Sequence, residues 1–196
     1  MAKGPRYRVP LKRRAEGKTS YYQRRELLKS GMIRLVIRRS TKNMRVQFID
    51  ALPNGDIVKT SSDSMQLKNF GWNLTGGNIP AAYLTGYLAG KKAKGAGIEN
   101  AILDLGLQTN SYGGRIYAAL KGVVDAGIEV PVNDKIFPAE DVLKGEHITK
   151  IATAIETENK EAFQQKFARY HANKVKTDGL SKLVDKTVKS IDKEVK

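Results

Sequence analysis

Arginine presents a planar fork of N–H donors that fits phosphate bidentately. Ten of this chain's twelve arginines fall in its first 45 residues: Arg6, Arg8, Arg13, Arg14, Arg24, Arg25, Arg34, Arg38, Arg39 and Arg45. Lys3, Lys12, Lys18, Lys29 and Lys42 join them against only Glu16 and Glu26, so the stretch carries +13 of the chain's net +15. Tyr7, Tyr21 and Tyr22 interleave with these cations, and aromatic rings of this kind stack on unpaired bases. The chemistry is that of a polyphosphate binder, with RNA as the first candidate. A basic arm for membrane binding or localisation, or a merely solvated charge run, would not need cations that continue through a helix into two strands. With no helix-turn-helix or zinc-finger pattern in the sequence, structured RNA is preferred to DNA.

Other chemistries find less to work with. Gly86 to Lys92 is one residue short of a phosphate-binding P-loop, and its lysine is followed by another lysine instead of Ser or Thr. Gly95-Ala-Gly97-Ile-Glu-Asn100 lacks the third glycine of a dinucleotide fingerprint and precedes a strand where it should follow one. Gly113-Gly114 stands at an expected helix N-terminus, where the pair either holds a phosphate on free N–H groups or serves as a plain loop. His147 and His171, the only histidines, lie 24 positions apart without metal-ligand spacing. No G-x-S-x-G elbow supports a nucleophilic serine. No cofactor, metal site or small-molecule substrate is therefore expected.

The elements that position the basic residues can be read from pattern. Residues 1–19 are basic, contain Gly4, Pro5, Pro10 and Gly17, and show no hydrophobic period, so they should stay extended until a partner orders them. Ser20-Tyr21-Tyr22-Gln23 reads as a capping box opening a helix through Lys29, stopped by Gly31. Residues 34–40 and 44–50 are strand-like and joined by Thr41-Lys42-Asn43; in the second, Val46 and Phe48 share one face. Pro53-Asn54-Gly55-Asp56 turns into a third strand, 57–60. Residues 61–77 are polar and Gly-rich and read as a connector with a short helix. Asn78-Ile79-Pro80 opens a helix to about Lys94, on which Gly86 and Gly90 permit close packing. The apolar run 101–107 has buried-strand length, and a helix follows from Arg115 to about Ala126.

The expected fold class is therefore α/β: a βββαβα sandwich with a basic N-terminal arm and helix and a C-terminal helical extension. Three regions are expected, namely the arm and first helix over 1–31, the α/β core over 32–130, and the extension over 131–196. Helices are anticipated from Gly145 to about Thr157, from Lys160 to Lys174 and from Leu180 onward, covering something else instead of forming a second compact core. The same topology occurs in ribonuclease-H-like nucleases, which hold metal ions on acidic residues beginning in the first strand. Here that strand carries three arginines and no carboxylate, and Asp50 and Asp104 alone do not make a metal cage. An enzyme is not expected. With 40% hydrophobic residues, no cysteine, no membrane-length apolar run and no signal-peptide core at the start, the chain is expected to be a soluble, cytoplasmic globular protein.

Several stretches resemble a known family. Gly4-Pro-Arg-Tyr-Arg-Val-Pro10, Arg13-Arg14-x-Glu16-Gly17-Lys18-Thr19, Arg34-Leu-Val-Ile-Arg-Arg-Ser40, Asn54-Gly55-Asp56 and Ala82-Tyr-Leu-Thr-Gly86 are similar to the archaeal and eukaryotic form of large-subunit ribosomal protein eighteen. Leu103-Asp-Leu-Gly106, Val124-Asp-Ala-Gly127, Ile136-Phe-Pro138 and Gly145-Glu-His-Ile148 continue the pattern in order. Bacterial members are shorter at both ends and eukaryotic members carry longer extensions, so the archaeal branch fits best. The resemblance implies a non-enzymatic protein that binds 5S ribosomal RNA and docks it on the large ribosomal RNA in the central protuberance, beside neighbouring large-subunit proteins. It implies no membrane partner. By residue, it implies RNA contacts from Arg6, Arg8, Arg13, Arg14, Lys18, Tyr22 and Arg25, and from Arg34, Arg38, Arg39, Ser40, Lys42, Asn43 and Arg45 of the first hairpin. Lys12, Tyr21 and Arg24 join that set by position and type. A general structured-RNA binder or RNA chaperone is the alternative reading.

Overall fold

The computed structural model describes residues 4–158, 160–168, 170 and 179–195. Its frame is a four-stranded sheet in the order β3-β2-β1-β4. Strands β1 (Arg34–Arg39), β2 (Met44–Leu52) and β3 (Gly55–Asp63) form the antiparallel meander, and β4 (Ile102–Asp104) runs parallel to β1. Two expectations change in extent. The third strand is longer than 57–60 because it pairs with β2 from Arg45 to Leu52, with a register shift at Phe48/Ile49. The fourth is only three residues long: after Asp104 the chain turns away at Gly106 instead of extending through Leu107.

The alternation of side chains in β1 and β2 divides the sheet into two unlike faces. Leu35, Ile37, Val46 and Phe48 are fully buried against helices α3 (Ile79–Gly95) and α4 (Arg115–Asp125). Arg34, Val36 and Arg38 point to the opposite face. Helix α3 begins as its sequence anticipates, with Asn78 Oδ1 accepting from the Ala81 N–H at 2.9 Å and Pro80 in the first turn. Helices α3 and α4 approach closely because glycines meet at the crossing. A Cβ on Gly86 would collide with the backbone of Ala119, and one on Gly122 would reach the Tyr87 amide.

The short helix foreseen within 61–77 is a 3₁₀ helix at Ser64–Phe70, but the segment is not merely a polar connector: residues 61–63 belong to β3, and Leu67, Trp72 and Leu74 are buried. They join Leu84 and Leu88 of α3 in a second apolar cluster with Phe163, Phe167, Tyr170, Leu180, Val184 and Ile191. The C-terminal extension therefore covers the far side of α3. It comprises α5 (Glu140–Leu143), α6 (Glu146–Glu158), α7 (Lys160–Lys166) and α8 (Leu180–Glu194). The anticipated helix from Lys160 to Lys174 runs in part outside the described residues. Tyr87 donates to Asp192 Oδ1 at 2.8 Å and Lys91 pairs with the same atom at 2.7 Å, fastening α8 to α3. Among the described residues no helix is long and apolar enough to cross a membrane.

Candidate nucleic-acid interface

The outer face of the sheet is organised by two carboxylates among three arginines. Parallel pairing places Asp104 of β4 beside Val36, between Arg34 and Arg38 of β1. Arg34 Nη1 donates to Asp104 Oδ2 at 2.9 Å and Arg38 Nη2 to Asp104 Oδ1 at 3.0 Å. Arg38 Nη1 also donates to the Asp104 carbonyl at 2.7 Å, and Gly106 N–H to Asp104 Oδ1 at 2.9 Å. Gly106 has a positive φ, and a Cβ there would lie 2.9 Å from Arg38 Nη2, so glycine at this turn admits the guanidinium. At the other end Arg34 Nη2 donates to Asp56 Oδ2 at 2.7 Å. Arg24 then grips Asp56 as a fork, at 2.6 and 2.9 Å. The result is a ladder, Arg24–Asp56–Arg34–Asp104–Arg38, running from the first hairpin to the basic helix. The fork from Arg24 holds the Asp56 carboxyl below its ordinary value against the opposing effect of burial, and the same bond raises the Arg24 guanidinium.

Above the ladder lies an open cleft of about 610 Å³. Its floor is Val36, Gln47 and Ile49; its walls carry Arg13, Lys18, Tyr21, Arg24 and Arg38. One wall is α2 (Tyr21–Leu28), capped by Ser20 Oγ, which accepts from the Gln23 N–H at 3.4 Å. The arm before it was expected to be wholly extended, but it makes one helical turn, α1 (Lys12–Ala15), followed by Gly17 at positive φ. Every described residue from Gly4 to Lys18 is exposed, Val9 and Leu11 included, so the arm gives its apolar side chains nothing to pack on. Arg13 donates to Thr19 Oγ1, Lys18 pairs with Glu16, and Arg25 lies over the exposed Tyr22 ring at 5.5 Å while bonding Glu26.

The hairpin tip forms a second basic patch. Ser40 and Asn43 close the turn: Ser40 N–H and Oγ–H donate to the Asn43 carbonyl, and Asn43 N–H donates to Ser40 Oγ. Arg115, the first residue of α4, links this tip to the loop before α3 by donating from Nη1 to the Ser40 carbonyl at 3.5 Å and to the Gly77 carbonyl at 2.8 Å. Arg39 is exposed and its side chain donates to the Thr109 carbonyl at 3.1 Å; Arg45 is exposed and pairs with Asp63 at 3.2 Å.

The cations and tyrosines proposed from sequence thus divide into four groups. Arg6, Arg8, Lys12, Arg14 and Lys42 are exposed with no ion pair to a described residue, and Arg13, Lys18, Tyr22, Arg25, Arg39 and Arg45 are exposed with partners that lie on the surface. Tyr21, Arg24 and Arg38 face the cleft, half-buried. Arg34 is different: its side chain is 4% exposed and held between Asp56 and Asp104, so it scaffolds the surface from beneath. Of the two roles left open for Gly113 and Gly114, the loop role is the one that fits. Their N–H groups donate to the carbonyls of Ile136 and Ser111, so neither amide is open to a phosphate, and the pair shapes the turn into α4.

Asp56 and Asp104 were absent from the sequence-derived set. The signal available was one carboxylate inside an otherwise apolar run, Asp104 in 101–107, which marks a buried charge needing partners. Neither suits a metal, since guanidinium groups occupy their oxygens, and Asp50 pairs instead with Lys59. The described residues contain no group of three or more His, Asp or Glu side chains that could hold a metal ion.

Comparison with known proteins gives a consistent picture. Residues 5–96 and 92–133 match the family described as ribosomal large subunit proteins 60S L5 and 50S L18. The chain is 45% identical to the large ribosomal subunit protein uL18 of Aeropyrum pernix over 197 residues, covering 100% of this chain and 92% of that protein. It is 43% identical to the same-named protein of Thermofilum pendens, covering 98% of each. Against that of Haloferax volcanii it is 47% identical over 156 residues, 80% of this chain and 85% of the relative.

Proposed function

The chain belongs to the archaeal-type uL18 family of large ribosomal subunit proteins, and from that premise we propose that it binds 5S rRNA and attaches it to the large rRNA in the central protuberance. It is a structural constituent of the cytoplasmic ribosome's large subunit and not an enzyme. The observation that carries the finer reading is the division of the cations. The arm and the hairpin tip present guanidinium and ammonium groups outside the fold's own buried ion pairs, on either side of a cleft floored by Val36 and Ile49. Exposed arginines grip phosphates, while the cleft and the exposed Tyr22 offer apolar and aromatic surface to unpaired bases or sugars. Recognition is then of RNA shape, not duplex sequence. Neighbouring large-subunit proteins are further partners on this reading.

The test is titration into labelled 5S rRNA with excess tRNA competitor, at low and near-physiological salt. Binding that survives both challenges supports selective recognition. Binding that tRNA removes would favour a general structured-RNA binder.

A further inference from the structure

Attraction of phosphate does not explain why two carboxylates stand in the middle of the basic cleft. Asp56 and Asp104 each lie between two arginines, and by Coulomb's law alone each weakens the field that RNA meets. Their placement has another consequence. Helix α2 has no fully buried residue; Tyr21, Arg24, Leu27 and Leu28 are half-buried, so its packing is shallow. Among the described residues, its hydrogen-bonded link to the sheet is the fork from Arg24 to Asp56. Asp56 is in turn fixed by Arg34, whose 4% exposure ties it into the sheet, and Arg34 is fixed by Asp104. The last rung orients Arg38 across the far wall of the cleft.

On the reading that this basic surface binds ribosomal RNA, we propose that Asp56 and Asp104 are positioning residues for the RNA. They hold α2 against the outer face of the sheet and set the planes of Arg24 and Arg38 before RNA arrives. A surface organised in advance loses less conformational freedom on binding, and that saving appears as affinity. The proposal inverts the sign expected from charge. If carboxylates only dilute a positive field, removing one tightens RNA binding; if they position arginines, removing one weakens it.

Asp56→Asn keeps the side chain's shape and removes its charge. Asp63→Asn is the control: Asp63 pairs with the exposed Arg45, and asparagine retains the oxygen that accepts from the Met65 N–H. Arg24→Lys keeps the positive charge and loses the fork. Dissociation constants for 5S rRNA and for tRNA are measured with each full-length variant and with Asp56→Asn/Arg24→Lys, beside the thermal midpoint of each protein. Asp56→Asn should bind about five- to tenfold more weakly, the scale of immobilising one or two long side chains on binding. Asp63→Asn should bind about twofold more tightly, the scale of one exposed ion pair released. Arg24→Lys should weaken binding by a similar factor to Asp56→Asn while leaving the thermal midpoint unchanged, which a general loss of folding cannot do. The double variant should be no worse than either single one, because both break the same rung.

The inference is overturned if Asp56→Asn binds as tightly as the parent or more so, or if Arg24→Lys leaves affinity untouched; either result leaves the ribosomal reading standing. A parent protein that shows no preference for 5S rRNA over tRNA defeats the 5S reading, and the sign of the Asp56→Asn effect on tRNA still decides whether the ladder positions the surface.

Discussion

Removing Arg6 and Arg8 together isolates the electrostatic work of the arm. Both are exposed, neither has an ion pair to a described residue, and no residue from Gly4 to Lys18 enters either apolar cluster. The Arg6→Ala/Arg8→Ala protein should therefore unfold at the parent's temperature. Its RNA binding should differ in a calculable way. Each phosphate contact contributes about 0.7 to 0.9 to the slope of log affinity against log salt, so two lost contacts flatten the slope by about 1.4 to 1.8. Across a fourfold rise in salt that amounts to about seven- to twelvefold less affinity lost by the variant than by the parent. The assay is a filter-binding or fluorescence titration against 5S rRNA at four or more salt concentrations, with the thermal midpoint measured in parallel. A fall in affinity at unchanged slope would mean that the arm does not act through phosphates. A lowered midpoint would mean that the arm belongs to the fold. Either outcome refutes the reasoning.

Gly86→Ala should destabilise the protein by about 1–3 kcal/mol, because overpacking against the Ala119 backbone exceeds the roughly 1 kcal/mol gained in helix propensity; a denaturation midpoint at or above the parent's would show that the α3–α4 crossing can open. Tyr87→Phe should cost about 1 kcal/mol through the lost bond to Asp192 and raise amide exchange in α8, with unchanged exchange there counting against the fastening role. Burial holds His147 below its ordinary 6.5, and its Nδ1 has no hydrogen-bond partner among the described residues. The folded state disfavours the charged ring, so stability is complete above that value and declines as pH falls through it toward the folded pKa. His147→Gln should flatten that decline in urea midpoints, and an identical profile would assign it to other groups.

The sequence made some of this structure legible and concealed the rest for identifiable reasons. Local signals were sufficient where the cause is local: Ser20 and Asn78 cap their helices, Pro80 sits in a first turn, and the alternation of Val46 and Phe48 marks the buried face. The close approach implied by Gly86 needed only helical spacing. Trp72 was not placed because its burial depends on α8 residues such as Leu180 and Ile191, more than a hundred positions away. The length of β4 was overestimated because an apolar run does not reveal that Gly106 turns the chain.

The division among the arginines was hidden for a different reason. Arg34, Arg38 and Arg39 are chemically alike and lie within six residues, so composition assigns them one role. Strand alternation sends Arg34 and Arg38 to the outer face and Arg39 to the other, yet this alone does not bury a charge. Burial of Arg34 follows from the neighbours that pairing supplies: β4 brings Asp104 alongside Val36, and β3 brings Asp56 to the same face. A guanidinium flanked by two carboxylates can tolerate 4% exposure; Arg39, whose side chain donates to the Thr109 carbonyl, remains at the surface. The carboxylates therefore decide which cations build the platform and which remain outward for a phosphate. Counting cations finds the surface, but the positions of the acids determine its shape.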